Sequence, residues 1–167
     1  MTGVKHLQSM QQYYDSIETP LGFLAIEADD AAVRSVSFQE TSPSKRNPSA
    51  LTNEVVEQLT AYFRGALKDF TVPVQPEGTA FEQGVWNSLI TIPYGDTCSY
   101  LDIARKLNNR NAIRAVGRAN GANPIAIIIP CHRVIGSDGS LTGYGGGLWR
   151  KRWLLEHEAR IAGTSLF

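Results

Sequence analysis

With 167 residues, 43% of them hydrophobic, the chain is long enough for one ordinary domain or two small ones sharing an interface, and it has the apolar mass for a packed core. Sixteen basic and sixteen acidic side chains cancel overall, but residues 1–79 hold 6 basic against 10 acidic and residues 80–167 hold 10 against 6, so one half repels polyanions and the other attracts them. Two cysteines, Cys98 and Cys131, exclude a disulfide framework, and the longest apolar stretch, Ile125 to Ile129, is far too short to span a bilayer. Met1 to Tyr14 is polar and lacks the apolar centre of a signal peptide, so a soluble, unprocessed, cytoplasmic protein is expected, with no membrane partner.

Tyr13–Thr19, Gly22–Ala28 and Ala32–Phe38 alternate or run rich in β-formers. Pro20–Gly22 and Asp29–Asp30 separate them as turns, which predicts an antiparallel meander. After a polar loop over 39–50, Asn53 is the expected cap of a helix whose Val55, Val56, Leu59, Tyr62 and Phe63 recur at helical spacing until Gly65. Thr71 to Thr79, with Pro73, Pro76 and Gly78, reads as a linker between an α/β unit over 1–70 and a mainly helical unit over 80–167.

Past the linker, Thr79 caps a helix over 81–92 with Phe81, Val85, Trp86 and Leu89 inward, and Pro93-Tyr94-Gly95 stops it. Ser99 caps another through Leu107, with Leu101, Ile103, Ala104 and Leu107 inward. Asn108-Asn109-Arg110 turns the chain into a helix from Ala112 to about Asn120, with Ile113, Val116 and Ala119 facing the core. Two helices joined by a short turn, the second bearing arginines, fit a helix-turn-helix and fit a generic helical hairpin as well. The cluster Arg105, Lys106, Arg110, Arg114 and Arg118 is either a phosphate-binding stripe or a solvated helix face.

Ile127 to Val134 reads as an apolar strand that meets a proline and then presents Cys131 beside His132 and Arg133. A thiol attacks only as its thiolate, so an adjacent base and a positive field suit a nucleophile; a buried small side chain at a strand end is the plain alternative. Gly136-Ser137-Asp138-Gly139 is a tight turn, Gly143-Tyr144-Gly145-Gly146-Gly147 leaves main chain bare for close approach of a flat ligand, and an amphipathic helix runs from Trp149 to Ile161.

Together, Tyr100, Arg114-Ala115-Val116-Gly117, Asn123-Pro124, Ile129-Pro130-Cys131-His132-Arg133-Val134, Gly143-Tyr144, Gly146-Gly147 and Trp153-Leu154-Leu155 followed by His157-Glu158 resemble the O6-alkylguanine-DNA alkyltransferase family, the methylated-DNA–protein-cysteine methyltransferases. The resemblance is close over residues 79–160. In the N-terminal half it rests on Thr19-Pro20-Leu21-Gly22 and the order of elements. It implies a ribonuclease-H-like α/β unit followed by a winged-helix or helix-turn-helix unit. It also implies direct reversal of DNA damage: irreversible, stoichiometric transfer of an alkyl group from O6 of guanine, and from O4 of thymine, to Cys131 after the nucleotide is flipped out.

By the same resemblance His132 takes the thiol proton by way of a water and Glu158 orients the imidazole, with His157 a bystander. Tyr100 donates to guanine N3 and the Gly145 N–H approaches O6, while the carbonyls of Cys131 and Val134 accept from the exocyclic amine. Tyr144 and Gly146 border the alkyl group, and Asn123 braces the active-site turn. The second helix lies in the minor groove of double-stranded DNA, where Arg114 fills the vacated stack. Ala115, Gly117 and Arg118 meet the backbone.

Glycines 145–147 imply an open wall beside the alkyl group, with room for ethyl and benzyl as well as methyl. The chain departs from members that carry serine at Gly145 or an apolar residue at Asn120. Members with a structural zinc hold it through N-terminal cysteines; none precedes Cys98, so neither metal nor cofactor is expected, Cys98 is a structural thiol, and the protein is a monomer. A non-catalytic reader of alkylated bases and a Cys-His hydrolase of ordinary type are the competing readings.

Overall fold

A computed structural model describes residues 10–164; Met1–Ser9, most of the polar N-terminal stretch, and Ser165–Phe167 lie outside the described residues. Strands β1 (Tyr13–Thr19), β2 (Gly22–Ala28) and β3 (Val33–Gln39) form an antiparallel sheet in that order. Alternation in β2 puts Leu24, Ile26 and Ala28 into the core, and β3 adds Val33 and Val36. A bulge between Glu27 and Ala28 breaks the register near the β2–β3 turn. Helix α1 (Ala50–Phe63) covers this sheet with Val55, Leu59 and Tyr62.

The cap of α1 is Ser49, not Asn53. Ser49 accepts from the Thr52 N–H while the Thr52 hydroxyl accepts from the Ser49 N–H, a reciprocal box that uses threonine where glutamate or glutamine is usual. Asn53 is thereby left as a residue inside the first turn.

The second half is helical: α2 (Ala80–Ile90), a two-residue β4 (Cys98–Ser99), α3 (Tyr100–Lys106), α4 (Ile113–Gly121), a two-residue β5 (Val134–Ile135) parallel to β4, and α5 (Leu148–Ala162). Thr79 with Glu82 and Ser99 with Asp102 cap α2 and α3 by the same reciprocal box. Trp86 on α2 donates its indole N–H to Ala119 O on α4 at 2.8 Å, tying the second helix of the helix-turn-helix pair α3–α4 to α2. A 3-10 turn over Arg110–Ala112 precedes α4. Two expected inward residues are outside: Phe81 and Ile113 are exposed, the latter beside Arg114 at the start of α4.

The apolar run before the cysteine is not a strand. Ile125 makes a single parallel bridge to Val36, with Val36 N–H donating to Pro124 O at 3.0 Å and Ala126 N–H donating to Val36 O at 2.9 Å. The chain then turns, and Cys131–Arg133 form a 3-10 turn. The free edge of β3 thus holds the segment that leads to the cysteine. The same edge pairs with the 71–79 segment, where Val33 N–H donates to Pro73 O at 2.8 Å and Gln75 N–H donates to Val33 O at 2.9 Å. Among the described residues no helix is long and apolar enough to cross a membrane.

Candidate active site

Cys131 lies at the start of its 3-10 turn, 6% exposed, at the wall of a cleft of about 430 Å³. Asn123 shapes the approach: its side-chain amide donates to Ile129 O at 2.8 Å and Ile125 O at 3.2 Å, and its carbonyl accepts from the Ile125 N–H at 3.0 Å. One side chain therefore satisfies the backbone groups that a strand would have paired. Inside this loop Ile127 sits at φ 69°, a conformation that β-branched residues avoid, so the turn is strained and is held by its surroundings.

His132 and Arg133 turn away from solvent toward α5. His132 Nε2 is 2.7 Å from Glu158 Oε2; an ionised carboxylate only accepts, so this nitrogen carries the proton and Nδ1 has a free lone pair. Nδ1 is buried and has no partner among the described residues. Arg133 grips the same carboxylate at both oxygens, Nε to Oε1 at 2.7 Å and Nη2 to Oε2 at 3.1 Å, and donates through Nη1 to Ile92 O at 2.7 Å. From α1, the Tyr62 hydroxyl donates to Oε2 at 2.6 Å.

Burial opposes ionisation of Glu158, but the facing His132 and the Arg133 fork outweigh it and hold the carboxyl well below the usual range. Burial, opposed by Glu158, lowers the His132 imidazole and keeps it neutral. Burial likewise pushes the Cys131 thiol up, partly offset by Asn123 and by the charge of Lys151. The resting site is a thiol beside a neutral, oriented imidazole with a vacant proton-accepting nitrogen.

Tyr100, at the start of α3, donates to Thr142 O at 2.8 Å and receives Lys151 Nζ at 3.4 Å. Lys151 is fully buried and also donates to Val134 O at 2.6 Å and Thr142 O at 2.9 Å; burial brings its ammonium down to about 8. The Cys131 carbonyl accepts from Asn120 Nδ2 at 3.2 Å. Both carbonyls singled out from the sequence thus already hold donors: Cys131 O takes a second one from the Val134 N–H, which fills both its lone pairs, and Val134 O takes Lys151 Nζ.

The cleft runs along Asn120, Asn123, Cys131, Tyr144, Gly145 and Gly146 and is closed on the far side by β3 residues Ser35–Phe38. At Gly145 the wall is open, with only Gly121 O at 3.7 Å from the place a Cβ would take. At Gly146 it is not: a Cβ would come within 2.8 Å of the Phe38 ring and 3.0 Å of Tyr144. The expectation of a wholly open wall is corrected there. Phe38, from the other half of the chain, fills the space and meets Tyr144 edge-on at 6.3 Å. Arg150 pins this corner, donating to Leu21 O at 2.8 Å and Gly146 O at 2.9 Å, pairing with Glu40 at 3.3 Å, and lying over Phe38.

On α4, Arg114 and Arg118 are exposed one turn apart, Ala115 is half-buried, and Gly117 brings the helix close to Tyr100, whose ring is 4.0 Å from its would-be Cβ. Cys98 is only partly buried, its thiol pushed up to about 11 chiefly by burial. His157 donates to Tyr62 O at 2.8 Å and stacks on Trp153, away from the cysteine. Among the described residues no cluster of His, Cys, Asp or Glu is placed to hold a metal. Arg133, expected from the sequence as the positive field beside the thiol, instead grips Glu158, and the charge that reaches Cys131 is that of Lys151. The Tyr62 hydroxyl, Lys151 and Arg150 were not singled out from the sequence. A buried charge gives no periodic signal, and only the Arg and Lys at 150 and 151, flanked by the apolar positions of α5, hinted at inward cations.

Residues 80–160 match the family model described as 6-O-methylguanine DNA methyltransferase, DNA binding domain. Residues 12–76 match the one described as 6-O-methylguanine DNA methyltransferase, ribonuclease-like domain. A Mycobacterium tuberculosis protein named methylated-DNA–protein-cysteine methyltransferase is 47% identical over 160 residues, covering 92% of this chain and 96% of its own. A namesake from Methanosarcina acetivorans is 45% identical over 152 residues, covering 87% and 97%. The crystal structure of M. tuberculosis O6-methylguanine methyltransferase superposes with TM-score 0.81 at 46% identity over 93% of this chain and 98% of that one. The M. tuberculosis OGT crystallised in complex with DNA gives 0.81 at 48% identity, covering 89% and 93%.

The buried relay makes stability pH-dependent in a defined direction. His132 and Glu158 both bind protons less readily folded than unfolded, so the unfolded chain gains protons first as pH falls. Lys151, held to about 8, is protonated in both states below pH 7 and adds no slope. The urea midpoint is expected to fall progressively from about pH 6.5, the unfolded histidine value, and further below about 4.3, that of glutamate. A midpoint that rises between pH 7 and pH 5 contradicts a neutral His132.

Proposed function

The chain belongs to the methylated-DNA–protein-cysteine methyltransferase family, and from that premise we propose that Cys131 is the alkyl acceptor of its reaction. The activity is direct-reversal DNA repair: an alkyl group leaves the damaged base and is bonded to the protein's own cysteine, without turnover. The observation that carries the assignment is the Cys131–His132 pair backed by Glu158, with His132 Nε2 donating at 2.7 Å and Nδ1 left free.

His132 Nδ1, directly or through a water, removes the thiol proton as substrate seats, and the imidazolium formed is stabilised by Glu158. The thiolate attacks the alkyl carbon in line. The S–C bond forms as the C–O6 bond breaks, and the electron pair leaves on guanine. A proton to the purine then completes the balance. Tyr100, which receives Lys151 Nζ and gives its one hydroxyl proton to Thr142 O, is the donor for the purine ring nitrogen by exchanging Thr142 O for it, and the Gly145 N–H serves O6. The Val134 carbonyl, held in place by Lys151, is the acceptor for the exocyclic amine, and the Cys131 carbonyl joins it by exchanging Asn120 Nδ2 for that amine.

The protein acts on DNA. Arg114, Ala115, Gly117 and Arg118 of α4 are our candidates for the minor-groove contact, Arg114 entering the stack when the nucleotide is extruded. The working division is residues 1–70 as supporting unit, 71–79 as connection and 80–167 as the acceptor and DNA-binding unit, acting as a monomer in the cytoplasm.

Intact-mass measurement after incubation with an O6-methylguanine oligonucleotide is expected to show one methyl group added, located on the Cys131 peptide. Cys131→Ser is expected to bind the oligonucleotide and gain no mass. Transfer to Cys98, or more than one turnover per protein, overturns the assignment. Arg114→Ala is expected to slow repair of duplex DNA by about tenfold or more while sparing reaction with free O6-benzylguanine, since only the duplex must be unstacked. Equal losses on both substrates would make Arg114 structural. Because Phe38 fills the wall at Gly146, Phe38→Ala is expected to raise the benzyl-to-methyl rate ratio by about tenfold, the scale of a pocket gaining space. An unchanged ratio in competition kinetics would show that Phe38 does not border the alkyl group.

A further inference from the structure

The catalytic carboxylate is held by the other half of the chain. Tyr62, in the last turn of α1, is fully buried and lies 96 positions from Glu158, yet its hydroxyl donates to Glu158 Oε2 at 2.6 Å, the same oxygen that faces His132 Nε2 at 2.7 Å. The ring has no freedom to leave: Phe63, Phe70, Tyr94 and His157 surround it at centroid distances of 5.4 to 6.2 Å. Its own carbonyl accepts from His157 Nε2 at 2.8 Å, so α1 and α5 are joined twice at adjacent residues of α5.

We propose that Tyr62 is a positioning residue of the relay, supplied by the N-terminal unit: its phenol fixes the Glu158 carboxylate and, by sharing Oε2, weakens that oxygen's pull on the His132 proton so that the imidazole stays a neutral base. The inference rests on the role given to His132 under the proposed function. A carboxylate oxygen with two short donors carries less charge toward each than one with a single donor. Without Tyr62, Oε2 keeps only His132 Nε2 and the longer Arg133 Nη2 contact at 3.1 Å, the imidazolium is more favoured, and a protonated imidazole cannot accept the thiol proton. Tyr62 thereby counters the overstabilisation that a buried, fully ionised partner would bring.

Other groups facing Glu158 are Arg133 from the cysteine turn, the Gly95 N–H at 3.5 Å from the connection after α2, and Tyr94 within reach of its charge. Lys151 acts on His132 from α5, and Arg160 acts from the helix end on Tyr94. None of these donates to Oε2 from the side of α1. Removing the Tyr62 hydroxyl therefore changes one contact and leaves the other charges in place.

The test is the pH dependence of single-turnover alkyl transfer from free O6-benzylguanine between pH 5.5 and 8.5, in the full-length protein. In Tyr62→Phe the acid limb is expected to move up by about half to one pH unit, as His132 becomes easier to protonate, with duplex DNA affinity unchanged. Trifluorotyrosine placed at position 62 donates more strongly, keeps the shape and is expected to move the limb down. A limb that stays in place in both variants overturns the proposal and makes Tyr62 a packing residue. If Tyr62→Phe does not fold, the fluorinated protein decides alone. Loss of alkylation at Cys131 in the unaltered protein would instead refute the underlying reaction, a distinct outcome.

Discussion

Everything near the cysteine is arranged around one buried carboxylate. Glu158, 1% exposed, accepts from an imidazole, both arms of a guanidinium fork and a phenol, so two separate stretches of chain, the cysteine turn and α1, converge on its two oxygens. Such a cluster adds little net stability, because desolvating the charges offsets their attraction, whereas deleting one member leaves an unpaired charge at a cost of about 3–5 kcal/mol. Its value is geometric. It fixes which nitrogen of His132 carries the proton, and so leaves the other nitrogen free to receive one.

The second constraint is the edge of β3. An unpaired edge in a three-stranded sheet invites association with another chain, and here it is occupied from within by residues 73–75 and by the bridge of Val36 to Ile125. That bridge anchors the segment just before the strained Ile127, and Asn123 closes the loop from inside. The sheet therefore shapes the cysteine turn as well as the wall of the cleft, where Phe38 rests on Gly146. The halves of the molecule are chemically distinct but structurally inseparable at the site.

Much of this was legible from local signals. The strand pattern, the Thr79 and Ser99 caps, the helical hairpin and the Cys131-His132 pair each announce themselves within ten residues. The cap of α1 was misplaced because a Ser–Thr box looks like ordinary loop composition, and the run before Cys131 looked like a strand because its apolar residues are continuous. It is buried as a turn because backbone bonds within it and the Asn123 side chain together supply hydrogen bonds that strand neighbours would have made. The Tyr62 hydroxyl, Lys151 and Arg150 were out of reach for another reason. A tyrosine on the inward stripe of α1 satisfies helical periodicity whether or not its hydroxyl finds a carboxylate 96 residues away. Periodicity reports burial and says nothing about partners.

A protein consumed by its own reaction is not selected for regenerating its nucleophile, only for the single step in which the thiolate forms and attacks. With Cys131 as the proposed acceptor, storage as a buried thiol would protect it from adventitious electrophiles and oxidation, since the reactive species is the thiolate. The cost is that the proton must be removed at the moment of reaction by a base already in position. A neutral imidazole with a vacant Nδ1, its other nitrogen held by a carboxylate that Arg133 and Tyr62 hold in turn, is the base that the proposed reaction calls on. Preorganisation of this kind lowers the barrier because no dipole has to reorient as charge develops. The relay accordingly lies between the last turn of α1 and the buried face of α5, while Gly145 leaves bare backbone along the cleft for the substrate.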